Sequence, residues 1–430
     1  MNENVRPATP IARVVLASFI GTSIEWYDFF LYGTAAALVF NRLFFPTLDP
    51  FAGTMASFAT YAVGFFARPL GGIIFGHYGD KIGRRSMLVT TLMMMGLSTF
   101  LIGLLPTYDQ VGVLAPVALA ALRLVQGLGV GGEWGGAVVL VVEHGHHSRR
   151  GLYASSAQAG VPAGLLLANG TFAAVSALPE DQFLSWGWRL PFLAGVILLG
   201  LGLFIRLHIL ETPLFAEARA QRATSARPLV DLVRNYRWNL LLAMGARFAE
   251  NACFYVFTVF IYVYASESRG FSRETILVGV ILASALQLVS IPAFAALSDR
   301  LGRRPVYLAG ALFLGLFAFP FFWLVDSGVP ALIWLALVLG LTGVAAMYGP
   351  QAAFFSELFG TNVRYSGASL GSQLAAPFAG GLAPLIATAL LDWSGGQPWP
   401  VALYMIGMVL ITFSSVFLTA ETVRTDLSSR

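Results

Sequence analysis

Two acidic residues lie within an otherwise apolar stretch near the start of the sequence, GTSIEWYDFFLYG at residues 21 to 33. Glu25 and Asp28 are three positions apart, so on a helix they share one face about one turn from each other. A charged side chain inside a membrane costs about 3 kcal/mol on insertion scales, and such groups are usually paired, hydrated or functional. Both carboxylates are therefore predicted to face a central cavity and to take part in proton coupling.

Arg123 is the first candidate partner for these acids, because it lies at a similar predicted depth in the fourth apolar segment. Two interpretations are open. In the first, a permanent ion pair joins the helices. In the second, a carboxylate takes up a proton and releases Arg123, which then binds an anionic substrate. Asp28 is favoured as the proton site because it lies nearer the midplane, with Tyr27 and Tyr32 as hydrogen-bonding neighbours.

The seventh apolar segment, MGARFAENACFYVF, carries a second polar group. Arg247 and Glu250 are i, i+3 neighbours that can neutralise each other locally, and Glu250 joins the candidate proton sites. Asn251 and Tyr255 lie four positions apart on one face and suit a carboxyl or hydroxyl group. The predicted midplane substrate site has eight residues: Tyr27, Arg123, Gln158, Arg247, Asn251, Tyr255, Tyr348 and Gln351. Each uncharged residue could instead form a hydrogen bond between helices, worth about 0.6 to 2 kcal/mol.

Three further charged residues are predicted to lie above or below this site. Glu133 is about 15 Å closer to the cytoplasm than Arg123 at 1.5 Å per helical residue, and it is a further candidate for proton coupling. Arg68 reaches a comparable depth in the second segment, so these two side chains are expected to pair and to gate the inner side. Arg189, in WGWRLPF, begins the sixth segment, where it either extends to lipid headgroups or lines an outer vestibule.

The elements that position these residues are predicted to be transmembrane helices. The chain is 57% hydrophobic and 11% charged, with a mean hydropathy of +0.74, whereas a soluble domain is about 25% charged. Each apolar run of about 20 residues can cross about 30 Å of hydrocarbon as a helix. About twelve spans are predicted, near residues 13–38, 52–76, 86–106, 112–142, 152–177, 188–209, 238–264, 274–297, 304–325, 329–351, 365–391 and 399–420. The fold class is an all-α membrane protein.

The positive charge of the chain indicates its orientation in the membrane. Most of the 26 basic residues fall on one side of the twelve-span map, and the positive-inside rule assigns that side to the cytoplasm. We therefore expect a multi-pass protein of the plasma membrane with both termini in the cytoplasm. The bilayer accounts for the computed pI of 9.3, and no nucleic-acid partner is expected.

A repeated motif divides the chain into two halves. GHYGDKIGRRSML follows the second predicted span and FAALSDRLGRRPVY follows the eighth, about half the chain later. Two six-span bundles of common origin are therefore predicted. They would comprise residues 1–210 and 238–430, joined by a cytoplasmic linker at 211–237.

Each copy of the motif pairs an acid with an arginine at a helix end, as a gating latch would require. The residues are Asp80 and Arg84 in the first copy, and Asp299 and Arg303 in the second. The motif resembles the signature of the major facilitator superfamily. That resemblance implies the major facilitator fold, with Arg123 and the first-segment carboxylates lining its cavity, and transport rather than enzymatic activity.

A narrower resemblance covers most of the chain. Six stretches in order are similar to the metabolite:proton symporters, the branch of the shikimate, citrate, α-ketoglutarate and proline/betaine carriers: GTSIEWYDFFLYG, FFARPLGGIIFGHYGDKIGRR, RLVQGLGVGGEWGGA, WGWRLPF, LETPLF and SELFGTNVRYSGASL. The stretches indicate the branch and leave the substrate open.

Cofactor and metal patterns are weak. Gly127, Gly129 and Gly132 match G-x-G-x-x-G, but they lie within an apolar helix and not after a strand. Close helix packing through Gly127, Gly131 and Gly135, which are four residues apart, is expected instead. The EHGHH stretch at 143–147 has no cluster of further ligands beside it. Cys253 is the only cysteine, which excludes an internal disulfide. No cofactor, metal site or enzymatic activity is predicted.

These observations predict a monomeric secondary transporter. It would import a small polar metabolite, preferably an organic carboxylate, together with protons by alternating access. A zwitterion such as betaine or proline is the open alternative, and a uniporter or drug exporter of the same fold is a further one. Drug export is disfavoured because QAGVPAG, at 158–164, lacks the Gly-Pro dipeptide of drug antiporters.

Overall fold

The structure is a computed structural model that describes residues 11–82, 84–131, 138, 141, 149–208, 234–359 and 364–424. Within these residues the chain forms helices joined by short connections, and no strand. A helix occurs at each predicted span. The helices are α1 (Ile11–Ala35), α2 (Pro50–Ile82), α3 (Arg84–Leu104), α4 (Leu114–Gly131), α5 (Arg150–Ser176), α6 (Arg189–His208), α7 (Arg237–Tyr255), α8 (Arg273–Leu301), α9 (Arg303–Asp326), α10 (Pro330–Glu357), α11 (Arg364–Ala376, continued by Ala383–Trp393) and α12 (Trp399–Leu418).

Nine helices of the described part are long and apolar enough to cross a membrane, and a bent pair, Glu180–Gly187 with Arg189–Phe204, would make a tenth. Their burial separates central from peripheral helices. The apolar window of Arg237–Ser266 is 94% buried, whereas that of Trp399–Leu418 is 33% buried. The α7 segment is therefore enclosed by other helices, and α12 is left to face lipid.

Three of the helices contain a π-helical turn, in which the backbone hydrogen bonds widen from i→i+4 to i→i+5. α1 continues through Ala36–Phe40, and α7 continues through Val256–Phe260 and Tyr264–Ser268. In α11 the turn is Pro377–Gly381, and it starts at a proline, whose missing N–H breaks the regular ladder. The helices nevertheless stay continuous through these turns, since Arg237–Ser266 and Gly367–Trp393 are each long and apolar enough to form one span.

The helices pack in two groups, α1–α6 and α7–α12, which we call the first and second halves. In the first half α1 packs along α5, α2 along α4 and α3 along α6; in the second, α8 packs along α10, α9 along α10 and α12, and α7 along α12 and α11. The halves meet where α5 contacts α8 and α10, and where α2 contacts α11. Most of the predicted linker lies outside the described residues, so the proposed boundaries at 210 and 238 stay a prediction.

Small residues allow the tightest contact in the first half. A Cβ on Gly127 would lie 2.0 Å from the backbone oxygen of Gly64, and a Cβ on Gly131 would lie 1.9 Å from that of Arg68. No larger side chain fits at either distance. The close helix packing expected from these glycines is therefore present between α2 and α4, and it fixes the position of Arg68 and Arg123 relative to each other.

Candidate substrate site

A small cavity lies between the two halves. Its volume is about 10 Å³, which is about the room that one water molecule needs. Side chains of α1, α5, α7, α8 and α10 line it: Trp26, Val161, Pro162, Arg247, Glu250, Asn251, Phe254, Tyr255, Gln287, Ile291, Val344 and Tyr348. Helices from both halves have therefore closed around a polar centre.

An ion pair between Arg247 and Glu250 forms one wall of this cavity. Arg247 Nη1 lies 3.5 Å from Glu250 Oε2, and each side chain is 7% exposed. Gln351 joins both members, since its Oε1 accepts from Arg247 and its Nε2 donates to Glu250 over 3.4 Å. The same Nε2 donates to the Tyr307 hydroxyl over 2.8 Å. The local i, i+3 pair predicted from the sequence is thus formed, with an amide from α10 across it.

Other predicted residues complete the cavity in different ways. Asn251, Tyr255 and Tyr348 line it directly. Gln158 is fully buried, and its Nε2 donates to the backbone oxygen of Tyr348 over 3.2 Å, which links α5 of the first half to α10 of the second. Gln158 and Gln351 therefore belong to the wall behind the lining side chains.

Sequence reasoning missed three residues of the site whose side chains can form hydrogen bonds. Trp26 and Gln287 line the cavity, and Tyr307 lies behind Gln351. Gln287 carries the same signal as Gln158, an amide in an otherwise apolar span, and could have been found by it. Trp26 and Tyr307 give no such signal, because aromatic residues are common in membrane helices and only the helix rotation decides which ones face the centre.

Asp28 and Tyr27 do not line the cavity, contrary to the prediction. The Tyr27 hydroxyl donates to the backbone oxygen of Pro191 in α6 over 2.6 Å. Asp28 is 3% exposed, interacts with Thr99 of α3, and lies opposite Gly195 of α6. Trp26, two residues earlier, does line the cavity, and two residues advance a helix by about 200°, so Asp28 points away from the cavity.

Glu25, which was also predicted to face the cavity, does not line it either, and its neighbours differ from those of Asp28. It is buried, and its charge acts on Arg68 of α2 and on Tyr348 of α10. Glu25 therefore lies on the side of α1 that faces the second half, whereas Asp28 lies at the contact of α1 with α3 and α6. The two acids do not form one site.

Arg123 is held by aromatic rings. It is fully buried, and its guanidinium carbon lies 4.2 Å from the ring centre of Phe29, 4.4 Å from that of Tyr32 and 4.7 Å from that of Tyr61. Among the described residues it forms no ion pair with Glu25 or Asp28 within 4.0 Å, so the predicted pair is replaced by cation–π contacts. The rings come from α1 and α2, and sequence spacing does not reveal that they meet.

Arg68 lies in the same aromatic cluster. Its guanidinium carbon is 4.2 Å from the ring centre of Phe29 and 4.5 Å from that of Phe65. Both arginines thus share the ring of Phe29. We call Arg68, Arg123 and the rings of Phe29, Tyr61 and Phe65 the arginine box.

A chain of polar contacts leads from the arginine box to Asp28. Arg123 Nη1 donates to Gln126 Oε1 over 3.2 Å, and Gln126 Nε2 donates to the Thr99 hydroxyl oxygen over 2.7 Å. Thr99 in turn interacts with Asp28. Arg123 and Asp28 are therefore connected, but through two uncharged side chains.

Asp299 joins the two halves at the end of the molecule that is predicted to face the cytoplasm, which we call the inner end. Its carboxylate accepts from the backbone N–H groups of Gly151 and Leu152, over 2.8 and 3.0 Å, at the start of α5. Arg303 lies 2.8 Å from Asp299 and 3.1 Å from Glu357. The structure thus brings the second predicted latch pair together against the N-terminus of a helix from the first half, where a negative charge is stabilised.

The segment after α12 reaches the same place. The Glu421 carboxylate accepts from the backbone N–H groups of Arg303 and Arg304, over 2.9 and 3.0 Å, and from those of Thr422 and Val423. Burial alone would raise the pKa of this carboxyl, but the four N–H groups outweigh burial and hold its pKa below the ordinary value. The first turn of α9 is thereby capped by a distant part of the chain.

An ion cluster closes the opposite end, which we call the outer end. Glu180 Oε1 lies 2.7 Å from Arg42 and 2.6 Å from Arg273, so it connects the first half to the start of α8. Arg189, predicted to line an outer vestibule or reach headgroups, instead donates to the backbone oxygens of Gly103 and Leu105 over 2.9 and 2.5 Å. Its guanidinium therefore caps the C-terminal end of α3.

Comparison with known proteins identifies the family. The family model of the Major Facilitator Superfamily matches residues 18–372 and 282–429. The chain belongs to this superfamily. The shikimate transporter of Escherichia coli K12 is 40% identical over 416 residues, which cover 96% of this chain and 95% of that protein. The proline/betaine transporter of the same strain is 33% identical over 413 residues, which cover 93% of this chain and 82% of that protein.

A solved structure of the Major Facilitator Superfamily matches the whole fold. The proton:xylose symporter XylE of Escherichia coli, bound to 6-bromo-6-deoxy-D-glucose, gives a TM-score of 0.76 at 18% identity and covers 97% of both chains. The predicted all-α fold and the resemblance to the metabolite symporter branch are confirmed. The chain is a multi-pass membrane transporter of this superfamily and not an enzyme.

Three predicted site residues of this superfamily member cannot be placed. Glu133 lies outside the described residues, and the side chains of Asp80 and Arg84 do as well. The predicted pair of Glu133 with Arg68 and the first copy of the latch therefore stay predictions. In the described part, no group of three or more His, Cys, Asp or Glu side chains could hold a metal ion.

Proposed function

We propose that this transporter imports a small organic carboxylate together with protons, by alternating access to the central cavity. The observation that carries the proposal is the buried pair of Arg247 and Glu250, bridged by Gln351 in the wall of that cavity. Both members can change partner without leaving the site. The bilayer would be the plasma membrane, with both termini in the cytoplasm, and the working unit a monomer.

Charge balance at this pair couples the two ligands. A proton on Glu250 alone would leave the buried Arg247 without its counter-charge, and breaking a buried pair in this way costs about 3 to 5 kcal/mol. A substrate carboxylate that binds without a proton would be repelled by the negative charge of Glu250. When both ligands bind, the proton neutralises Glu250, and Arg247 forms charge-assisted hydrogen bonds with the substrate. The site is then neutral in its empty and doubly loaded forms, which is the condition for symport.

Glu250 is the carboxylate that we propose for the proton, in place of Asp28. Glu250 lies in the cavity wall beside a cation, whereas Asp28 contacts Thr99 and α6 behind it. Glu25, whose charge acts on Tyr348, and Glu133 remain candidates for a second proton.

The relatives support the substrate class. A shikimate transporter, named for a carboxylate, is 40% identical to this chain over nearly its whole length. A zwitterion is the second candidate, because a proline/betaine transporter is 33% identical and because Arg247 and Glu250 offer both charges within one cavity.

Uptake into proteoliposomes tests the proposal. The probes are labelled shikimate and labelled glycine betaine, each with and without an acid-outside pH gradient. We expect the gradient to drive accumulation of shikimate by the wild type. Glu250→Gln should abolish accumulation but keep counterflow exchange, because the amide imitates a permanently protonated acid. Glu274→Gln, at an exposed acid of α8, is the matched control and should behave as the wild type.

Three outcomes would contradict this function. Equal uptake with and without the gradient would indicate a uniporter, and gradient-driven loss of the probe from the vesicles would indicate an exporter. Accumulation of betaine but not shikimate would favour the zwitterion. Normal accumulation by Glu250→Gln would remove this residue from the proton role.

A further inference from the structure

The arginine box has hydrogen-bond donors that the described residues do not use. Nε and Nη2 of Arg68 and Nε and Nη2 of Arg123 are buried without a hydrogen-bond partner in the described part of the chain. Each such buried polar group costs about 1 to 3 kcal/mol. Four of them in one cluster are too expensive to be explained by packing alone.

The aromatic rings do not satisfy these donors. A ring stabilises a guanidinium through the face of its π system, whereas the N–H bonds lie in the plane of the guanidinium. The rings of Phe29, Tyr61 and Phe65 thus hold the two cations and leave their in-plane N–H groups available. A planar carboxylate is the partner that such a fork of donors fits best.

The arginine box carries a positive charge that an anion would neutralise. Glu25 is the described acid whose charge acts on Arg68. The titratable groups that act most strongly on Arg123 are the hydroxyls of Tyr61, Tyr32 and Tyr255, which are neutral, and the cation Arg68, so none of them is a carboxylate. In the described part, two cations therefore face one acid, and one further negative charge would balance the box. Glu133, the predicted partner of Arg68, lies outside that part.

Tyr255 is the side chain between the box and the cavity. It lines the cavity, and its ring centre is 5.3 Å from that of Phe65 and 6.1 Å from that of Tyr61. It stacks against the backbone of α11, where a Cβ on Gly380 would lie 2.8 Å from its ring. A change in this one side chain would connect Arg247, in the second half, with the two arginines of the first half.

We propose that the arginine box is a second anion subsite, and that the preferred substrate carries two anionic groups, one bound by Arg247 and the other by Arg68 and Arg123. The inference rests on the proposed function. A small dicarboxylate that spans Tyr255 would contact both halves at once and draw them together, so it would bind more tightly than an acid with one carboxylate. The ammonium group of a zwitterion would instead meet two guanidinium groups and be repelled.

Isothermal titration calorimetry on the purified full-length protein tests the subsite. The probes are succinate, glutarate and adipate, each compared with its own monoamide at a pH where every free carboxyl is ionised. The wild type should bind at least one diacid about tenfold or more tightly than its monoamide, as expected when a charge-assisted hydrogen bond is lost. In Arg123→Gln and in Arg68→Gln this preference should fall to about twofold or less.

The control and the contradicting results are judged by the same quantity, the affinity for a diacid relative to that for its monoamide. Arg300→Gln, at an exposed arginine of α8, removes the same charge outside the box and should keep the wild-type preference. A preserved diacid preference in both box variants would overturn the proposal. If neither variant folds, the wild type still decides, because the absence of any diacid preference in it overturns the subsite.

The proposed function fails differently. A preference for the diacid without proton-driven uptake would contradict the symport mechanism and still support the second anion subsite. Proton-driven uptake of a monocarboxylate without diacid preference would retire the subsite and leave the symport.

Discussion

Buried charges in this protein are compensated in two ways. Arg247 and Glu250 neutralise each other and share Gln351, whereas Arg68 and Arg123 lie over aromatic rings. A desolvated cation–π contact contributes about 2 kcal/mol, and removing an ion from water costs several kcal/mol. The rings therefore reduce the cost of burying the arginines without cancelling it. The first arrangement suits a proton switch, and the second suits a site that attracts an anion.

The acids of α1 and α7 give a test at the level of single residues. We expect Asp28→Asn to keep gradient-driven accumulation within about twofold of the wild type, a change of about 0.4 kcal/mol, because Asp28 neither lines the cavity nor lies beside a cation. Glu250→Gln should abolish accumulation in the same assay. The measurement is labelled shikimate uptake into proteoliposomes under an acid-outside gradient.

The opposite result would assign proton binding to Asp28, as the sequence predicts. If Asp28→Asn loses accumulation and keeps counterflow exchange, the proton site is Asp28. The contacts through Thr99 and Gln126 would then be the path by which its proton influences Arg123.

Among the helices, the start of α9 depends on a segment more than a hundred residues later in the chain. Gly302, which precedes α9, has φ +105°, and a Cβ there would lie 2.6 Å from Glu421 Oε2. Glycine is thus required both for the backbone conformation and for the approach of the carboxylate. The Glu421 cap and the Arg303 latch use the same turn, so the tail after α12 supports the inner end.

Glu421→Gln should weaken this cap. An N-terminal cap contributes about 1 kcal/mol, and we expect a loss of that order in the free energy of unfolding near neutral pH, measured by thermal melting in detergent. Because the folded pKa of Glu421 lies below its unfolded value, its stabilisation is present above the unfolded pKa and is lost as pH falls through the folded pKa. The difference between wild type and variant should therefore shrink in acid.

Glu274→Gln serves again as the control, since this acid is exposed and should give no difference at either pH. A loss for Glu421→Gln that is equal at neutral and acid pH would indicate that the variant disturbs packing and not the charge-assisted cap.

Sequence reasoning succeeded for interactions that a single helix or turn determines. The spans follow from apolar runs, the pair Arg247–Glu250 follows from i, i+3 spacing, and the pair Asp299–Arg303 follows from the repeated motif at a helix end. It failed for Arg123, whose ring contacts depend on how α1 and α2 are rotated relative to α4. The bounds of a span can be predicted even when each residue is misplaced by one position. In a helix with 3.6 residues per turn, however, one position changes the direction of a side chain by about 100°.

At the scale of the whole molecule, contacts between the halves are present at both ends. Glu180 connects to Arg273 at the outer end, and Asp299 connects to the start of α5 at the inner end. Between them, the Tyr262 hydroxyl donates to Asn169 and joins α5 to the segment after α7. Alternating access requires one set of these contacts to break while the other persists.

The inner contacts should be the stronger set. Exposed ion pairs contribute about 0 to 1 kcal/mol, whereas breaking a buried pair costs about 3 to 5 kcal/mol. We expect Asp299→Asn to raise hydrogen–deuterium exchange at the start of α5 by about tenfold or more, and Glu180→Gln to raise it at the start of α8 by about fivefold or less. A larger effect of Glu180→Gln would contradict this order.

The ion pairs at the two ends differ in their exposure to water, so the salt concentration of the medium should affect them differently. The side chains of Glu180 and Arg273, which join the halves at the outer end, are 55% and 20% exposed, whereas those of Asp299 and Arg303 at the inner end are 6% and 1% exposed. Dissolved electrolyte screens charges in contact with water, over about 8 Å at physiological ionic strength, and screens buried charges much less. Rising salt concentration should therefore weaken the contacts at the outer end and leave those at the inner end intact. The substrate-free carrier would then open its cavity to the outside at high salt and close it at low salt.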